Sequence, residues 1–143
     1  MIPELRNLSY PDRLKVLDIP SMAYRRIRGD MIEVYKIFNN GYDGEVTLHL
    51  ERNEGPTRGN NKKLTKNRCR TTRRQMFFTS RVVDVWNSLP DSVIDAPSLL
   101  SFERKLDKFW KNQPIKFDFE EALVTTLNHR IRLSLDEDLD IED

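Results

Sequence analysis

A small, mainly α-helical domain is the fold class this sequence predicts, and three observations carry the prediction. Apolar residues recur at three- and four-residue steps in separate stretches, Ser or Thr stands before each of them, and proline or glycine closes them. At 143 residues the chain is long enough for one domain with a core of its own and short for two of comparable size. The expected architecture is about four helices, an irregular β-hairpin-like basic insertion and a disordered acidic C-terminal tail. The domain is expected over residues 1–116, and residues 117–143 as a tail with at most a short helix before disorder.

Ser9, with Asp12 three residues on and Leu14 and Leu17 behind it, reads as a capped short helix that Pro20 ends. Ser21 opens a longer one in which Tyr24, Ile27, Met31, Val34, Tyr35 and Phe38 form one apolar face, and Asn39, Asn40 and Gly41 supply the stop. Gly29 in its middle weakens the helix, and close packing is the expected reason. Arg25, Arg26 and Arg28 lie off the apolar stripe, as a solvated face or a contact to nucleic acid. Val46, Leu48 and Leu50 alternate as a short strand would, and His49 between them has no second ligand at metal spacing. Thr79 or Ser80 caps a helix that buries Val82, Val85, Trp86 and Leu89 before Pro90, which assigns Trp86 to the core and not to base stacking. Pro97 and Ser98 start the clearest amphipathic helix, with Leu99, Phe102, Leu106, Phe109 and Trp110 on one side. Phe119, Leu123, Leu127 and Ile131 repeat every four residues, the spacing of a last helix.

Charge is close to balanced overall but segregated along the chain. Residues 1–54 carry a net −1, residues 55–83 carry +9 with no carboxylate, residues 84–117 are neutral and residues 118–143 carry −7. The basic stretch holds Arg58, Lys62, Lys63, Lys66, Arg68, Arg70, Arg73, Arg74 and Arg81. It runs into an apolar cluster of Phe77, Phe78, Val82, Val83, Val85, Trp86 and Leu89, expected to anchor it. A turn at Gly59, Asn60 and Asn61 suggests a hairpin over about residues 57–78, in which Arg70, Thr72 and Arg74 face one way and Thr71 and Arg73 the other. Cations without neighbouring carboxylates suit phosphate, whose counterions they release; the competing reading is a solvated loop with no partner.

Other chemistry finds little footing. Cys69 is the single cysteine, so an intramolecular disulfide is excluded and a reducing, intracellular compartment, nucleus or cytoplasm, is expected. It lies between Arg68 and Arg70 without a histidine nearby in sequence to serve as base, which reads as an incidental thiol more than a nucleophile. No run of apolar residues has the length of a membrane span, and no Gly-rich phosphate loop, Gly-x-Ser-x-Gly or His-Glu-x-x-His occurs. Asp136 to Asp138 lie in a tail that offers no fixed geometry for a metal, and no cofactor is expected.

Several separated motifs together carry a resemblance. Ser9 to Leu17, RRIRGDMIEVYKIFN from Arg25, TRG at Thr57 and RTTRRQMFFTSRVVDVWNSLPDSVIDAPSLLSFERKLDKFW from Arg70 resemble, in the same order, the C-terminal region of reverse transcriptases of non-LTR retrotransposons of the jockey type. The resemblance covers roughly residues 5–110. It implies a piece of an RNA-directed DNA polymerase beyond its active site, because in that family an aromatic-Ala-Asp-Asp palm motif does the chemistry and this sequence has none. By that likeness the chain is expected to have no enzymatic activity and to bind the phosphate backbone of RNA or DNA independently of sequence. Arg58, Lys62, Lys63, Lys66, Arg68, Arg70, Arg73 and Arg74 are the expected contacts. A palm or thumb domain of the parent enzyme is a further expected partner. The alternative is a structural or interaction remnant with no nucleic-acid role, whose apolar helices pack on another surface or self-associate.

Overall fold

The computed structural model describes residues 2–39, 41, 62–124 and 130–131. Among them lie six α-helices: α1 Tyr10–Leu17, α2 Met22–Phe38, α3 Thr72–Met76, α4 Phe78–Asn87, α5 Asp91–Ile94 and α6 Leu99–Phe109. Short 3-10 turns stand at Pro3–Leu5 and Pro114–Lys116, and β1 Leu123–Val124 pairs antiparallel with β2 Arg130–Ile131. The chain is mainly α, as its apolar periodicity requires.

Helices α1, α2 and α6 each begin at a serine whose hydroxyl caps them. At α1 the Ser9 hydroxyl accepts from the Asp12 N–H at 3.3 Å and donates to the Asp12 carboxylate at 2.6 Å. That helix stops at Asp18, which takes the left-handed conformation (φ 52°, ψ 38°) so that the Ile19 N–H can return to the Leu14 carbonyl at 3.0 Å. Ser21 caps α2 by accepting from the Tyr24 N–H, and it is itself wholly buried. Its hydroxyl donates to the Ile115 carbonyl and its N–H to the Lys116 carbonyl, both at 2.6 Å, which fastens the start of α2 to the second 3-10 turn. Ser98 caps α6 by accepting from the Ser101 N–H. At the other end of α2, the Gly41 N–H and the Asn39 amide reach back to the Lys36 and Tyr35 carbonyls, each at 2.8 Å.

The core is where α2, α4 and α6 meet. Met31, Val34, Trp86, Phe102, Leu106 and Ile115 have at most a trace of exposure, and rings knit the helices together. Phe38 stacks on Trp86 with centroids 5.4 Å apart, Trp86 lies 6.0 Å from Phe102, and Phe102 stacks on Tyr35 at 4.4 Å. The Tyr35 hydroxyl donates to the Ala96 carbonyl at 2.7 Å and the Trp86 indole N–H to the Lys62 carbonyl, so both polar groups of this stack are matched. Two forked ion pairs brace the outside: Arg28 of α2 with Asp107 of α6, and Arg81 of α4 with Asp30 of α2. Among the described residues, no buried side-chain nitrogen or oxygen lacks a partner.

Several expectations need correction. Residues 72–76 form a helix and not one arm of a hairpin, because Thr71 caps the turn by accepting from the Arg74 N–H; the rest of that hairpin, with the Gly59–Asn61 turn, lies outside the described residues. The next helix begins at Phe78 without a side-chain cap, so neither Thr79 nor Ser80 starts it. Residues 119–124 form no helix and 130–131 are a strand, while 125–129 lie outside the described residues: Leu123 and Val124 are extended, held by the amide of Gln113, whose Nε2 donates to the Val124 carbonyl at 2.6 Å while its Oε1 accepts from the Val124 N–H at 2.9 Å. Leu123 is 1% exposed, so the packed part runs beyond the boundary expected at residue 116. Finally, a Cβ added at Gly29 would meet nothing within 4 Å, which removes close packing as its reason. The strand expected around Leu48, and the acidic end from residue 132, also lie outside the described residues.

Gly29→Ala is accordingly expected to raise stability by about 0.5–1 kcal/mol, and Leu123→Ala to lower it by about 2–5 kcal/mol, both read from urea unfolding. A neutral effect of the latter would contradict the packing of residues 117–124. Burial, and then the charge of Asp107, pushes the Tyr24 hydroxyl above its ordinary value, against a lesser opposing effect of Arg28, and burial does the same to Tyr35. The unfolded chain therefore releases these protons first. Their contribution to stability is whole below about pH 10 and falls as pH rises beyond it. Two tyrosines that ionise late in an ultraviolet titration, together with alkaline loss of stability, are the expected outcome.

Candidate nucleic-acid interface

The described part of the basic segment, from residue 62 on, is not a loose loop, because it is clasped to α4. The Asn87 side chain holds both backbone groups of Leu64: its Oδ1 accepts from the Leu64 N–H and its Nδ2 donates to the Leu64 carbonyl, each at 2.9 Å. An amide has one donor face and one acceptor face at the spacing a neighbouring strand would offer, so it can satisfy both backbone groups of an extended residue. Next to it the Trp86 indole donates to the Lys62 carbonyl at 2.8 Å, and the Leu64 side chain is 3% exposed in the core. Further along, Lys66 pairs with Asp84 at 2.7 Å and the Cys69 thiol lies 3.5 Å from the Ser80 hydroxyl. The contacts pair residues 62, 64, 66 and 69 with 86, 87, 84 and 80, so the segment runs along α4 in the opposite direction before turning into α3.

The expected contact residues divide into groups. Lys62 pairs with Asp95 at 3.2 Å and Lys66 with Asp84, while Arg81 forks onto Asp30 with both contacts at 2.8 Å. These cations are engaged by carboxylates of the chain itself, though such exposed pairs contribute only about 0–1 kcal/mol and yield to a competing anion. Among the described residues, the side chains of Lys63, Arg68, Arg70, Arg73 and Arg74 make no hydrogen bond or ion pair, and all four guanidiniums are exposed. Arg68 to Arg74 span at most roughly 20 Å of chain. Arg73 and Arg74 lie side by side on α3, where a hairpin would have set them on opposite faces. Arg58 lies outside the described residues.

Sequence reasoning also missed residues that matter to this surface. Asn87 and Trp86 act as the clasp, a role that no local pattern announces because the partners are 23 and 24 residues away. Phe77, expected in the apolar anchor, is 68% exposed, whereas its neighbour Phe78 packs partly against the core with Arg81 over its ring at 5.7 Å. Arg28, grouped with a solvated cluster, pairs with Asp107, whose hydrogen bond holds the guanidinium pKa above its ordinary value against the opposing effect of burial.

Elsewhere among the described residues the surface has little chemical equipment. An open depression of about 360 Å³ at the end of α6 is lined by Lys108, Phe109, Lys111, Asn112, Gln113, Pro114 and Val124, with no paired acid and base. Among the described residues, no group of three or more His, Cys, Asp or Glu could hold a metal ion, and no helix is long and apolar enough to cross a membrane. No protein-family model matches the chain, and neither a curated protein nor a solved structure is significantly similar to it.

Removing the clasp tests this geometry. Asn87→Ala leaves the Leu64 N–H and C=O unmatched and is expected to cost about 1–3 kcal/mol. It is also expected to speed tryptic cleavage after Lys66, Arg68 and Arg70 relative to sites in α6. Unchanged cleavage at those three positions would show that the amide does not hold the segment.

Proposed function

We propose that this chain is a non-catalytic nucleic-acid-binding module, similar to the C-terminal part of a retrotransposon RNA-directed DNA polymerase, that holds RNA or DNA by its phosphate backbone. The observation that carries the reading is the set of four exposed guanidiniums, Arg68, Arg70, Arg73 and Arg74, without an ion pair among the described residues and borne by a segment clasped to a helix. Guanidinium groups suit phosphate oxygens because their donors form a rigid fork. Holding their backbone on α4 lowers the ordering cost of binding, which a free loop would meet in full. The motifs Arg25 to Asn39 and Arg70 to Trp110 supply the likeness to the polymerase region, and the absence of the palm aspartates from the sequence supports a binding role without chemistry.

With about four phosphates contacted, the logarithm of the binding constant against the logarithm of salt concentration is expected to fall with a slope of about −3 to −4. Arg70→Glu, Arg73→Glu and Arg74→Glu together are expected to flatten that slope to about −1 or less and to weaken binding to RNA and DNA alike. Filter binding to single- and double-stranded RNA and DNA across a salt series reads both. A slope unaffected by the three reversals would overturn the reading.

A second reading draws on another observation. Val16, Leu17, Ile19 and Met22, at the junction of α1 and α2, are all exposed apolar side chains. Such a patch suits an interaction remnant that packs on a polymerase domain or on a second copy. Weak binding to nucleic acid that ignores the arginine changes, with concentration-dependent sedimentation abolished by Val16→Lys and Met22→Lys, would favour it.

A further inference from the structure

Phe77 is the most exposed large apolar side chain among the described residues, and it follows closely on Arg73 and Arg74, which have no ion pair among those residues. Its backbone is not loose. The Phe77 N–H donates to the Arg74 carbonyl at 3.3 Å, and the Phe77 carbonyl accepts from the Ser80 and Arg81 N–H groups at 2.9 Å each. Its φ of −59° continues the helical path of α3, and its ψ of 142° turns the chain away only afterwards, into α4. The side chain therefore leaves the backbone where a further helical residue would, three and four positions beyond Arg74 and Arg73. At that spacing residues share one face, with Cβ atoms about 5–6 Å apart. The kink thus splits the two phenylalanines, with Phe78 turned toward the core and Phe77 held out among cations.

A ring held in water beside guanidiniums is the pairing by which proteins grip single strands, with bases stacked on the aromatic and phosphates on the cations. We propose that Phe77 is a stacking platform for an unpaired base of single-stranded RNA or DNA, with Arg73 and Arg74 taking the adjoining phosphates. The inference rests on the nucleic-acid reading above and narrows it, because a paired base inside a duplex does not offer its face to the ring. Every base has a face to stack, so the site is indifferent to sequence.

The test compares oligo(dT) and oligo(U) with an abasic oligodeoxynucleotide of equal length and phosphate count, in fluorescence anisotropy at fixed salt. The expected result is tighter binding of the base-bearing strands by about 5- to 150-fold, the range one stacked base supplies. Phe77→Ala and Phe77→Leu are expected to erase that preference without changing abasic binding or the salt slope, and Phe77→Tyr to keep it. Because the ring is exposed, none of these should alter the melting temperature. Equal binding of base-bearing and abasic strands by the native chain, or a preference that survives Phe77→Leu, would overturn the stacking role and leave the phosphate reading standing. Absence of salt-dependent binding to any strand would overturn both.

Discussion

The pairing of the Asn87 amide with both backbone groups of Leu64 is the constraint on which the rest of the basic surface depends. Residues 65–71 have no helix or strand of their own, so their course is decided by what they touch. The amide, the Trp86 indole and the buried Leu64 side chain fix one end, and the cap of α3 and the kink at Phe77 fix the other. The same device recurs elsewhere in the fold, where Gln113 holds both backbone groups of Val124. In each case a carboxamide pairs with both backbone groups of one extended residue and ties a short extended piece to the helical core.

This arrangement separates two kinds of cation that look alike in the sequence. Lys62, Lys66 and Arg81 face Asp95, Asp84 and Asp30, carboxylates that lie outside the basic block along the chain but beside it in space. They help seat the segment. Arg68, Arg70, Arg73 and Arg74 come where the chain leaves α4, and no carboxylate faces them among the described residues. Among the described residues, the positive surface that survives folding is smaller than the net +9 of residues 55–83 suggests, and more sharply placed.

The three core helices are legible in the sequence because each is a local pattern: the apolar faces of α2, α4 and α6, and the Ser9, Ser21 and Ser98 caps, all arise within a few residues. What escapes it depends on distance or on a single backbone angle. Five residues of α3 lie in a stretch whose threonines and arginines suit a strand as readily as a turn of helix. Burial of Leu123 comes from its contact with a core built mostly by residues far earlier in the chain and from the Gln113 amide, neither visible in a four-residue repeat. Of the candidate contacts, the residue types are readable and their division into paired and unpaired is not, since that needs Asp30, Asp84 and Asp95 in place. Phe77 is misplaced by sequence reasoning for a related reason: composition makes a phenylalanine apolar, but the ψ angle at one residue decides whether it meets the core or the solvent.

Hydrogen exchange at the Leu64 amide addresses the central claim most directly, because that N–H has a side-chain acceptor and belongs to no helix. The account predicts that it exchanges as slowly as the amides of α4, and that Asn87→Ala brings it to the rate of an unstructured chain. Exchange at the unstructured rate in the native protein would mean that the basic segment is not held on the helix, and the ordered presentation of its arginines would fail with it.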